Sequence, residues 1–368
     1  MTDPSPQEAD RLARQVLTSR LHLKPNENVT IEVYPTALPW ALGFVRESRR
    51  LGARPLLHYE DESSYWSAVE EGRSELIGTP GEHEWATLSK TDVYIYFWGP
   101  EDNGRLARLP EATSEKLLAF NSKWYGAAHR AGVRGVRMGL ARITPAAARR
   151  WGVPFDAWRK ELVRATMIDP KQFVPDSQKL RRSLEGRHTV RIWHPNGTDL
   201  ILALVGRMAR IPLGWVTPQS MRQPFGMMAT VPDGSIFVAV DESTAEGTLV
   251  SNRMSGLFGD PVRGGRWTFR KGRLVGQQYS SGAASVRRAY STGGKGRDRP
   301  AMLEVGLDPN IRIAPNLEEN ERGAVSVGIG SNAGFGGTTR TNFVAHLTVA
   351  GAELSIDGRT IVRGGRVV

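Results

Sequence analysis

The sequence predicts an α/β fold in two parts: an N-terminal parallel-sheet α/β domain over residues 1–185 and a C-terminal, mostly antiparallel β domain over 186–368. The chain of 368 residues exceeds the usual size of a single core. Its first half alternates β-branched runs with stretches of helical apolar spacing, the pattern of a parallel sheet covered on both faces. Its second half changes to short apolar runs separated by turn residues, the pattern of antiparallel hairpins.

The first strand is the run Asn28-Val29-Thr30-Ile31-Glu32-Val33-Tyr34. Residues 37–52 then place Leu38, Ala41, Leu42, Phe44 and Val45 at helical spacing and stop at Gly52. Strands recur over 55–59, 91–97 and 133–140, and helices over 155–168 and 170–184. The turn after Tyr34 reads Pro35-Thr36-Ala37-Leu38 and has none of the glycines of a phosphate loop, which argues against a dinucleotide site. The segment Glu82-His83-Glu84 reads as a loop, because Gly78-Thr79-Pro80-Gly81 precedes it.

In the second half, 188–193 and 199–204 form a hairpin around Pro195-Asn196-Gly197. Further short strands are predicted over 235–240, 247–251, 266–269, 273–278, 324–329 and 344–349, with a closing hairpin around Asp357-Gly358.

Composition narrows the chemistry. There are no cysteines, so disulfides, thiolate metal sites and cysteine nucleophiles are excluded. Any metal must be held by oxygen and imidazole nitrogen. No apolar run reaches membrane-spanning length, and the polar start MTDPSPQEAD lacks the pattern of a secretory signal, so a cytoplasmic protein is expected. The net charge of +11 is concentrated in residues 262–299, where ten Lys and Arg face Asp298 alone. No nucleic-acid-binding motif accompanies that charge, so this segment reads as a solvated hairpin and loop.

Other chemistries lack their signatures. No Gly-x-Ser-x-Gly elbow sits at a strand-to-helix turn, and nothing singles out a glycosidase carboxylate pair. His22, His58, His83 and His129 have no second histidine at i+3 or i+4, and they read as structural or surface groups. The stretch from Ser331 to Arg340 can form an anion-binding nest in which Arg340 holds a carboxylate, or a simple mobile turn.

An ordered set of motifs remains: 224–232 (PFGMMATVP), 241–248 (DESTAEGT), 303–307 (LEVGL), Gly330-Ser331-Asn332 with Gly336-Gly337, and His346 leading to Ser355-Ile356-Asp357-Gly358. In order and spacing this set resembles the thermophilic-type metalloaminopeptidases, the aminopeptidase T and S family, together with its 2,5-dihydroxypyridine dioxygenase offshoot. The resemblance implies an aminopeptidase T-like fold, a homodimer, and two metal ions held by two glutamates, two histidines and an aspartate. Those ligand positions fall on Met227, Glu304, Ser326, His346 and Thr348, so two of the five ligands are kept.

The expectation drawn from this is a divergent metal-dependent hydrolase acting on a peptide or small amide. Glu304 and His346 would be catalytic and would hold one divalent ion (Zn, Mn, Co or Fe(II)), completed by Asp241, Glu242 or Glu246. Arg340 and Ser326 would contact substrate. Two alternatives stand beside it: a mononuclear Fe(II) ring-cleaving dioxygenase, and a non-catalytic protein that binds a peptide or small ligand. Glu304 paired to Arg340 is the structural alternative for that carboxylate.

Overall fold

A computed structural model describes residues 3–368, except 107, 223–225, 252, 257–258 and 314. Pro224 and Phe225 of the first motif therefore lie outside the described residues. The chain forms two compact units. The first comprises residues 1–149, 154–170 and 214–232, and the second 150–153, 171–213 and 233–368. A single cut at 185/186 thus misses three exchanges: 150–153 and 171–185 pack with the second unit, and 214–232 returns to the first.

The first unit carries a five-stranded, fully parallel sheet: β1 (Asn28–Val33), β2 (Arg54–Tyr59), β3 (Val93–Phe97), β4 (Arg134–Met138) and β5 (Met228–Val231), in the order β2-β1-β3-β4-β5. Val29, Ile31, Val33, Val93, Ile95, Phe97, Val136 and Met138 fill its apolar core. The helix Leu38–Arg50 buries Trp40, Ala41 and Phe44 and packs on the helix Pro6–Gln15. Gly43 permits that approach, because a Cβ there would lie 2.6 Å from the Ala9 carbonyl. Arg20, fully buried, donates to the carbonyls of Thr166, Ile168 and Gly214 at 2.9–3.0 Å, which explains why 154–170 and 214–232 belong to this unit.

The sequence reading omitted β5. Its four residues are recruited from about ninety positions downstream, and a strand that short carries no periodic signal of its own. Glu82–Ser89 is a helix rather than a loop: Gly81 lies at its N-cap and the Glu84 side chain accepts from the Gly81 N–H.

The second unit contains an eight-stranded sheet and a four-stranded sheet. In the first, Arg187–His194, Thr198–Val205, Glu246–Ser251, Gly265–Arg270, Arg273–Gln278 and Glu353–Arg363 supply the antiparallel hairpins expected from sequence. The four-stranded sheet comprises β6 (Ser235–Ala239), β7 (Pro300–Gly306), β8 (Val325–Gly330) and β9 (Val344–Val349), ordered β9-β8-β7-β6 and antiparallel throughout. The helix Val174–Leu184 packs against β6, and Asp176 pairs with Arg322 at 2.6 Å.

The basic segment is more ordered than a hairpin and loop, since Ala284–Thr292 is a helix. Its arginines have internal partners. Arg263 donates to the Trp151 carbonyl, Arg273 pairs with Asp298, and Arg287 and Arg297 lie over Tyr279 and Tyr290. No helix among the described residues is long and apolar enough to cross a membrane.

Candidate functional site

Strand alternation gives the four-stranded sheet two different faces. Ile236, Val238, Leu303, Val305, Val325, Val327, Leu347 and Val349 point to one side and are buried. On the other side the register aligns Phe237, Glu304, Ser326 and Thr348 as one cross-strand row, with Met302, Gly328 and His346 in the neighbouring row. Residues 22 or more positions apart in the chain therefore share one face.

Glu304 and His346 meet there. Oε2 of Glu304 lies 3.7 Å from Nδ1 of His346, a charge contact longer than a hydrogen bond. The other carboxylate oxygen accepts from the Ser235 hydroxyl at 2.6 Å. The Glu304 side chain is 7% exposed and that of His346 32%, so the imidazole is the solvent-facing partner. Gly328 makes room: a Cβ there would lie 2.8 Å from Met302 Cγ and 3.6 Å from the imidazole.

Ser326 lies between Glu304 and Thr348 in the same row, but it is 1% exposed and its hydroxyl is 2.7 Å from that of Thr348. Beside the row, the 3-10 turn Glu318–Asn320 packs on β7. Burial, followed by the neighbouring charges of Glu304 and Glu318, pushes the Glu319 carboxyl well above its ordinary range. Burial also raises Glu318, whose carboxylate accepts from Ser255 at 2.7 and 3.0 Å. Sequence reasoning missed Ser235 and Glu319. Only the pairing of β6 with β7 and the fold of the 318–320 turn bring them to Glu304.

The loop 331–340 is not an open nest. Its anion is supplied by the chain itself, because Glu242 Oε1 accepts from the Thr338 N–H and the Asn332 amide, each at 2.8 Å. Arg207 holds the same carboxylate through two hydrogen bonds of 2.9 Å. Burial alone would raise Glu242; the Arg207 guanidinium, the Thr338 N–H and the Asn332 amide outweigh it and hold the carboxyl down at about 2. Asn332 further donates to the Ala301 carbonyl and accepts from the Thr339 N–H, which closes the loop. Arg340 is exposed at its end.

The proposed third ligands are committed elsewhere. Glu242 is held as described, Asp241 caps Ser243, and Glu246 accepts from the Lys271 N–H. Met227 is fully buried in an apolar cluster of the first unit with Leu88, Tyr94, Tyr125 and Val133. No group of three or more His, Asp or Glu side chains able to hold a metal ion occurs among the described residues. The expected single ion therefore finds one imidazole and one carboxylate, beside two neutral hydroxyls bonded to each other. That donor set does not fit the dinuclear centre implied by the resemblance, and it falls one donor short of a two-histidine, one-carboxylate iron site.

No family model matches the chain, and no curated protein matches it in sequence. Among solved structures, it is similar to AmpT from Thermus thermophilus, an aminopeptidase T, with a TM-score of 0.72 and 16% identity over 98% of this chain and 99% of that one. It is also similar to a 2,5-dihydroxypyridine dioxygenase from Pseudomonas putida, with a TM-score of 0.62 and 16% identity over 100% of this chain and 98% of that one. The aminopeptidase T-like fold expected from sequence is thereby shown, as a distant structural relationship.

Proposed function

We propose that this chain is a hydrolase acting on a peptide or small amide through a Glu304–His346 pair that works without a resident metal ion. The observation that carries this reading is the arrangement of that pair: a buried carboxylate fixed by Ser235 and facing Nδ1 of a partly exposed imidazole. A carboxylate on the Nδ1 side favours the proton on that nitrogen and leaves Nε2 free to accept one. Water held at Nε2 gives up its proton to the imidazole as its oxygen attacks the substrate carbonyl. The imidazolium, stabilised by Glu304, then returns that proton to the departing amine. The 3.7 Å separation closes to a hydrogen bond when substrate excludes water from the face.

Arg340 is assigned to the substrate's carboxylate, since its guanidinium is exposed at the end of the Glu242-clamped loop. Ser326 is assigned a shaping role through its bond to Thr348. The same reading carries a cytoplasmic location and a homodimer, and light scattering checks the dimer directly.

The test is hydrolysis of dipeptides and amino acid anilides by purified protein, beside Glu304→Ala and His346→Ala. Turnover that is lost in both variants supports the pair. Turnover unchanged in either variant contradicts it. Peptide binding without turnover would replace the hydrolase with a ligand-binding protein of the same fold.

A further inference from the structure

The parallel sheet of the first unit contains a row that its packing does not explain. Strands of such sheets are ordinarily apolar on both faces. Here the register aligns His58, Glu32, Tyr96, Arg137 and Thr230 across β2, β1, β3, β4 and β5 as one polar row. Glu32, Tyr96, Arg137 and Thr230 are each partly exposed, so solvent reaches this row.

The row lies toward the carboxyl ends of the strands. In the order β2-β1-β3-β4-β5 the connection reverses direction between β1 and β3, and such reversals leave a crevice outside the strand ends where ligands of α/β sheets bind. Two guanidinium groups converge there on one indole. Arg142 lies 3.4 Å and Arg137 5.7 Å from the centroid of the Trp98 ring. Among the described residues the Arg137 guanidinium has no hydrogen-bond partner, and its Nε is buried. A buried guanidinium N–H without an acceptor is costly, so the arrangement suits an anion that supplies one. On the far side of Tyr96, Glu32 takes the Tyr94 hydroxyl on Oε2 and keeps Oε1 without a partner among the described residues. That oxygen is available to a hydrogen-bond donor on the ligand.

We propose that this crevice is a second ligand site, which takes a small organic anion. Its carboxylate or phosphate group is gripped by Arg137 beside Trp98 and Arg142, and a donor group reaches Glu32. The turn after β1 has no glycine-rich phosphate loop, so here a side-chain guanidinium takes the place of backbone amides. Glu32, Trp98, Arg137 and Arg142 all belong to the first unit.

Calorimetric titration with sodium phosphate and with sodium benzoate, in a Tris chloride buffer of constant ionic strength, tests this. At least one probe is expected to bind saturably, with a dissociation constant on the order of 1 mM or tighter. Arg137→Gln is expected to weaken that binding about tenfold or more, and Arg137→Lys by less, because lysine keeps the charge and loses the fork. Arg359→Gln, on an exposed hairpin, is the control, and thermal melts establish that each variant is folded. Saturation by phosphate alone assigns a phosphate ligand, and saturation by benzoate alone a carboxylate; either supports the site. The absence of saturable binding by both probes overturns it, as does undiminished binding in Arg137→Gln.

Discussion

The hydroxyls of Ser326 and Thr348 lie 2.7 Å apart, on adjacent strands and at positions where the aminopeptidase resemblance implies a histidine and an aspartate. Each satisfies the other, so the row that would carry metal ligands is closed by a neutral bond. Glu304 is left with Ser235 and His346 as its partners.

A third donor should change this. Thr348→Asp places a carboxylate in the row of Glu304, two residues along the same strand from His346. Without metal the buried charge is expected to lower stability by about 3 kcal/mol, read from the melting temperature. Added zinc is expected to restore much of that loss, whereas wild-type protein should show no comparable shift. A wild-type melting temperature that rises as far with zinc would contradict the incomplete donor set.

Ser235 fixes one oxygen of a nearly inaccessible carboxylate. Ser235→Ala leaves that oxygen without its donor and is expected to cost about 1–3 kcal/mol of stability. Because Glu304 orients His346, kcat for peptide hydrolysis should fall while KM changes little. A fall in KM-dependent binding with kcat preserved would assign Ser235 to substrate contact instead.

The loop clamp has a pH signature. Glu242 in the folded chain titrates at about 2, below the ordinary value of 4.5, so its contribution is present above pH 4.5 and is lost as pH falls toward 2. With solvent screening included, that contribution is about 1–2 kcal/mol. Glu242→Gln is expected to remove it at neutral pH and to flatten the acid limb of the stability profile between pH 4.5 and 2. Urea melts across that range check both parts.

Met227 tests whether its position belongs to a metal site or to a core. Met227→Glu buries a carboxylate among Leu88, Tyr94, Tyr125 and Val133, and it is expected to destabilise the protein by about 3–5 kcal/mol. A well-folded variant that gains a bound metal ion would place the position at the site after all.

Much of this fold was legible because local pattern and final structure agree. The β-branched run at 28–34, the helical spacing of Leu38, Ala41 and Phe44, and the Asp357-Gly358 turn each became the element expected. The elements that escaped depend on distant partners. Met228–Val231 is a strand only because β4 offers it an edge, and the 284–292 helix is hidden by an arginine-rich composition that reads as solvated. At the site, the two residues with strong chemical identity were legible and are brought together. Glu242 was misread, because a carboxylate's partner cannot be read from its neighbours in sequence: Arg207 and Thr338 lie 35 and 96 positions away. The polar row through Arg137 shows the same limit, since its members become adjacent only through the register of five strands.

The most direct measurement is turnover of one amino acid anilide by a single preparation whose metal content is determined before and after exhaustive chelation. The account predicts that kcat/KM is the same in both samples, with metal far below one equivalent, and that it is abolished by His346→Ala. Activity that disappears with the chelator and returns in proportion to added zinc, manganese, cobalt or ferrous iron would contradict it.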